Sequence, residues 1–210
     1  SWPNSSMRNH SISADGRYVV FDSSASNLVG GIDPLGQRQA WVADFAAVVN
    51  PGDVPVLTLV SRATGGSTTP ADAYCERPRI SGDGSAIVFQ SSATNLHAAT
   101  IGGESAIYLG TPAGAPLELA SWAAPGVRLQ ANTGYPCISH DGTHVAFGAC
   151  GVDTVAHPTL PDSGIFRYDR TAGTLDVVAD EIIYPGFALA PLNRTDISAD
   201  GRRVAYAAKA

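Results

Sequence analysis

Four aspartates, Asp15, Asp83, Asp141 and Asp200, recur along the 210-residue chain, and a recurring carboxylate is the first place to look for a metal ligand. Each is followed directly by a glycine, Gly16, Gly84, Gly142 and Gly201, and that pairing points elsewhere. Glycine accepts a positive φ and aspartate bonds the nearby backbone, so Asp-Gly between two apolar segments predicts a tight hairpin turn, not a ligand set. The other chemistry-bearing residues are dispersed. His10, His97, His140, His144 and His157 show no His-x-x-x-His spacing, and no Cys-x-x-Cys accompanies them, so zinc has little to hold it. A nucleophile elbow needs Gly-x-Ser-x-Gly; "GESAI" around Ser105 lacks the closing glycine and opens a predicted strand. Asp176 and Asp180 fall on or near one outer strand, where nothing sets them across a cleft as a glycosidase pair. Residue types and spacing therefore assign no catalytic residue, no cofactor site and no metal site.

Composition narrows the partners. Hydrophobic residues make up 44% and charged residues 15%, ordinary for a well-packed protein, and no apolar run approaches the roughly 20 residues that span a bilayer. Thirteen basic residues against nineteen acidic ones give a net charge of −6, with no basic cluster interleaved with aromatics, which argues against nucleic acid. The chain opens on Ser1 without a charged segment leading into an apolar one, which fits a processed protein, a domain or a fragment.

The elements that carry these residues repeat. "SISADGRYVVF" from Ser11 returns as "RISGDGSAIVF" from Arg79, "CISHDGTHVAF" from Cys137 and "DISADGRRVAY" from Asp196. The glycines at 16, 84, 142 and 201 stand 68, 58 and 59 residues apart, a period that signals a solenoid, propeller or array. After each turn, large residues such as Val19 and Phe21 or Ile87 and Phe89 alternate with Val20 or Val88, which describes a strand buried on both faces. Two further strand-like segments follow in each of the first three units: "RQAWVADF" and "VPVLTLVS", "SAIYLG" and "LELASW", "SGIFRYDR" and "TLDVVAD". No stretch shows helical periodicity. The expected fold is all-β, a β-propeller of four-stranded antiparallel blades, with units at about 8–72, 73–131, 132–190 and a partial one at 191–210. A β-sandwich is the competing arrangement, but nothing in it calls for near-identical hairpins at equal spacing.

Three cysteines, Cys75, Cys137 and Cys150, leave at least one unpaired within a monomer. With Asp141-Gly142 as a two-residue turn, Cys150 lies opposite Thr133 and out of register with Cys137. Cys75 is the equivalent of Thr133 one repeat earlier, so Cys75 and Cys150 are expected at the same height on adjacent blades. A disulfide between them is the expected bridge, provided the Cβ atoms come within about 4.5 Å.

The pattern Ile-Ser-x-Asp-Gly-x-x-Val-x-Phe, preceded by Pro78 and Pro136 in two units, resembles the TolB-like propeller repeat of bacterial proteins. "SSASNL" at 23–28 and "SSATNL" at 91–96 look like a large secreted or envelope-associated subgroup of it; the third unit departs from this with "GACGVD". The resemblance implies that the segment before each Asp-Gly is the innermost strand lining a central channel, which would put His10 near the channel mouth. It also makes calcium conceivable in the loop after Asn-Leu, but those loops carry one carboxylate each, Asp33 and Glu104, against the six to eight oxygens calcium needs.

Three blades and the inner half of a fourth do not close a ring, and closure is what removes an exposed sheet edge. A longer polypeptide of six to eight blades, two copies completing a seven-bladed ring, and a different protein over the open edge are the three ways to complete it. The functional expectation is a non-catalytic scaffold for protein interaction or assembly, periplasmic or extracellular in a bacterium. An enzyme's propeller domain acting on sugar or peptide substrates and a carbohydrate or small-ligand binding module are the alternatives. The extra residues of the first unit, around Asn50 to Thr69, are the expected contact surface.

Overall fold

The computed structural model describes residues 3–65, 68–98, 104–114, 116–124, 127–180 and 195–207. The stretch 181–194, which holds the expected boundary between the third and fourth units, lies outside the described residues. Those described are all-β, with no helix among them. The first unit forms a four-stranded antiparallel sheet in chain order, β1 (Met7–Ile12), β2 (Tyr18–Ser23), β3 (Gln39–Asp44) and β4 (Val56–Leu59). The second repeats it with β5 (Cys75–Ile80), β6 (Ile87–Ser91), β7 (Ala106–Gly110) and the short β8 (Glu118–Leu119). A small hairpin that the sequence pattern does not announce, β9 (Trp122–Ala124) with β10 (Val127–Arg128), comes next. The third sheet is β11 (Asn132–Ile138), β12 (His144–Cys150), β13 (Ser163–Asp169) and β14 (Thr174–Asp180), and β15 (Thr195–Ile197) pairs with β16 (Val204–Tyr206) as a two-stranded remainder.

The large-and-small alternation after each Asp-Gly decides how these sheets stack. Val20, Ala40, Val42 and Val60 on the back of the first sheet pack against Ile87, Phe89, Tyr108 and Leu119 on the front of the second. Val88, Ile107, Leu109 and Ala120 on the back of the second meet Val145, Phe147, Phe166 and Tyr168 on the front of the third. Aliphatic backs against aromatic-rich fronts is thus the rule at both interfaces, and it gives each four-stranded unit a core that it shares with its neighbour.

The hairpin corners are joined in sequence. Ala14 N donates to Gly82 O at 2.8 Å, Asp83 N to His140 O at 2.9 Å, and His140 N to Ala199 O at 3.1 Å, so the carbonyl just before the Asp of each following turn accepts from the preceding corner. Each turn is wider than the expected two residues. Ser13 N donates to Tyr18 O and Gly16 N to Ser13 O, both at 3.0 Å, closing a loop of four residues inside a hairpin whose register is the one a two-residue turn would give.

A second regularity sits in the innermost strands. β1, β5 and β11 each carry a bulge, between Arg8 and Ser11, Glu76 and Arg79, and Gly134 and Cys137. At each bulge one non-glycine residue has a positive φ: Asn9 at 45°, Arg77 at 53° and Tyr135 at 56°. Such a conformation costs a residue with a Cβ about 1–2 kcal/mol, so its threefold recurrence means that the surroundings enforce it.

That bulge overturns the expected cysteine bridge. It shifts the register by one, so Cys150 stands opposite Asn132 and not Thr133. Side chains alternate along a strand, which puts Cys150 on the back of the third sheet, while Cys75 belongs to the core between the first and second sheets. Cys75 and Cys150 therefore face away from each other and form no disulfide, and all three cysteines are thiols.

Candidate interaction site on the first sheet

The four Asp-Gly corners share one hydrogen-bond pattern. Ser13 Oγ donates to Asp15 Oδ1 at 2.6 Å, the backbone N of Arg17 donates to the same oxygen at 3.0 Å, and Tyr18 N donates to Ser13 Oγ at 3.0 Å. Ser81, Asp83 and Ser85 repeat this, as do Ser139, Asp141 and Thr143, and Ser198, Asp200 and Arg202. The serine hydroxyl is the largest influence holding Asp15, Asp141 and Asp200 below the usual carboxylate range, and Asp141 falls to about 2. At Asp83 burial is the largest influence and works upward, yet the bonds from Ser81 and Ser85 prevail and the carboxyl ends lower. These carboxylates are occupied in holding the turns.

The remaining chemical candidates serve structure as well. Ser105 Oγ donates to Thr133 O across to the third sheet. Asp176 pairs with Arg167 at 2.5 Å, and Asp33 accepts from Leu35 N within its own loop. His144 lies 3.5 Å from Asp169 and packs over the turn at Gly201, His140 fills the space beside Gly82, and His97 meets Trp122 edge-on. His157 is buried in the loop after β12, and His10 is exposed on β1. Among the described residues no three His, Cys, Asp or Glu side chains come together as a metal group. Along the innermost strands Ser11, Arg79, Cys137 and Asp196 occupy one repeat position and line a small pocket of 270 Å³. Burial pushes the Cys137 thiol up to about 11, so at neutral pH it stays protonated and is a poor nucleophile.

A wider groove lies on the first sheet. Its front carries large residues equivalent to those of the second sheet, Phe21, Trp41 and Leu59 for Phe89, Tyr108 and Leu119, and these three are buried in a cluster with Ile32 and Ala43 against which Leu28 and Val29 pack. Here, however, no sheet stands in front among the described residues. Met7 is 49% exposed where its equivalents Cys75 and Thr133 are at 0% and 3%, and Ile12 is 59% exposed where Ile80 is at 6%. Leu28 in "SSASNL" is half-buried, whereas Leu96 in "SSATNL" is sealed between sheets. The result is a groove of 760 Å³ whose apolar lining includes Met7, Val19, Phe21, Phe45, Val54 and Leu57. Val54 and Pro55 from the long loop of the first unit reach it, so the surface expected at 50–69 contributes to one rim while the strands supply the floor.

Gly16 gives the same result by another route. A Cβ at Gly84 would meet the Tyr18 ring at 2.9 Å, one at Gly142 the Ala86 Cβ at 2.9 Å, and one at Gly201 the His144 ring at 2.4 Å. Tyr18, Ala86 and His144 are one repeat position, each reaching from the preceding unit. A Cβ at Gly16 would meet nothing within 4 Å.

Stacked four-stranded antiparallel sheets, joined corner to corner around their innermost strands, are the blades of a β-propeller, and the fold is TolB-like. A structure described as TolB from Agrobacterium tumefaciens superimposes with a TM-score of 0.54 at 17% identity, over 96% of this chain and 53% of that one. TolB from Acinetobacter baumannii gives 0.51 at 14% identity, over 96% of this chain and 37% of that one. The chain thus spans about half the length of one and less of the other, and at these identities the likeness is one of fold. No protein-family model matches the chain, and no curated protein does.

Proposed function

We propose that the protein is a non-catalytic propeller scaffold of the bacterial envelope or extracellular space, which assembles by taking a protein partner onto the open front of its first sheet. In this reading the units at 8–72, 73–131, 132–190 and 191–210 are one propeller domain, three full blades and the inner half of a fourth. The observation that carries it is the contrast at the edge of one surface with its own copies: Met7 and Ile12 lie open on the first sheet, whereas Cys75, Thr133 and Ile80 at the same repeat positions are sealed. An apolar groove flanked by exposed Met7 and Val54 is a surface onto which a partner can pack. The envelope setting rests on the resemblance of the repeat and of "SSASNL" to secreted relatives. No helix among the described residues is long and apolar enough to cross a membrane.

The test is a photo-crosslinking amino acid placed at Phe45 on the groove rim, with the same probe at Val155 on an exposed loop as reference. The expected outcome is a crosslink at 45, identified by mass spectrometry as joining a protein segment of β-structure, and none at 155. Equal labelling at the two positions overturns the proposal.

A further inference from the structure

The inner bulges say what kind of partner fits, given that the open front is an interaction face. Asp22 is buried on the second strand of the first sheet, and its Oδ2 accepts from Arg77 N at 3.2 Å on the next sheet. Gln90 holds the same repeat position in the second sheet, and its Oε1 accepts from Tyr135 N at 2.9 Å on the third. In both cases an Asp or Gln on one blade holds the strained backbone N–H of the bulge on the following blade. The matching N–H on the first sheet belongs to Asn9, and among the described residues no acceptor stands in front of it. Apolar contact alone does not complete this face.

We propose that the occupant is a four-stranded blade from outside these four repeats, with an aliphatic back and an Asp or Gln set over the Asn9 N–H. The aliphatic back follows from both existing interfaces, where Val, Ala, Ile and Leu face an aromatic-rich front. A second copy docking by its own trailing edge would leave the Asn9 N–H without an acceptor. The repeat spacing puts Gly148 at this position in the third unit and Ala207 in the fourth, and neither side chain accepts a hydrogen bond. Asp22 and Gln90, the residues of this chain that do, are already engaged between its own sheets. The new interface continues the stack already present, so its chemistry is set by the two interfaces behind it.

Met7 is the single methionine of the chain and lies on the open face, so peroxide oxidation reports directly on its cover. The experiment joins a further copy of the 73–131 unit directly ahead of Ser6, which keeps Met7 in place and sets that copy's glutamine over Asn9, and compares it with copies carrying Gln→Leu and Gln→Asp at that site. The expected result is protection of Met7 in all three, with Asn9 amide exchange about tenfold slower for Gln and Asp than for Leu, the factor one buried hydrogen bond gives. Met7 protection with equal Asn9 exchange leaves the docking face standing and overturns the acceptor. A folded graft that protects neither group overturns both. Protection of Met7 in the unmodified chain that rises with protein concentration assigns the face to a second copy and overturns the proposed partner.

Discussion

At the scale of the residue, the same glycine is required to different degrees in different copies. Gly16 and Gly142 both have a positive φ, 75° and 70°, so alanine at either meets the backbone cost of about 1 kcal/mol. At Gly142 the new methyl also runs into the Ala86 Cβ, and overpacking adds about 1–3 kcal/mol. Urea denaturation should therefore show G142A to be the more destabilising of the two. The aspartates of the same turns set the acid limit. Asp141 is lowered in the folded state, so its contribution is fully present above the unfolded value near 3.8 and is lost as pH falls through about 2. Asp141→Asn removes that contribution at pH 6, and its stability curve is expected to converge on that of the wild type between pH 4 and 2. A gap that stays constant over that window would mean the carboxylate is not what the turn uses.

At the scale of the element, the bulged inner strand is the feature that matters most and shows least in the sequence. The hairpins were legible because Asp-Gly names its own turn, and the strand faces were legible because Phe21, Phe89 and Phe147 keep one phase. The bulge residues are Asn9, Arg77 and Tyr135, three types with nothing in common, and none is the glycine that usually marks a positive φ. Pro78 and Pro136 follow two of them, and they were the one trace available. Missing that bulge moved Cys150 by one place. Attention to which face each strand position takes would have kept Cys75 and Cys150 apart even in the expected register. Alkylation under denaturing conditions, without prior reduction, should accordingly label all three cysteines. The inter-sheet clasp predicts its own mutant: Gln90→Leu strips the Tyr135 N–H of its acceptor and costs about 1–3 kcal/mol, read by denaturation together with faster exchange at the Tyr135 amide.

At the scale of the whole molecule, the repeat makes stability a matter of neighbours. Each sheet completes its core only against the next, so a sheet flanked on both sides is held by two interfaces and an end sheet by one. Sequence could not tell these apart, because Val19 and Ile87 occupy the same place in the same motif and only the stacking shows which of them is sealed. The difference is measurable with a charge. Ile87→Asp puts a carboxylate into the apolar core between the first two sheets and is expected to destabilise by more than about 3 kcal/mol. Val19→Asp places the same group on the half-buried groove floor, where water reaches it, and should cost no more than about 1 kcal/mol in the chain alone. Once a blade covers that groove, the two positions become equivalent and the Val19→Asp cost should rise to match. Equal, large costs at both positions in the chain by itself would mean that the first sheet is already covered, and the open face with its unfilled contacts would not exist in solution.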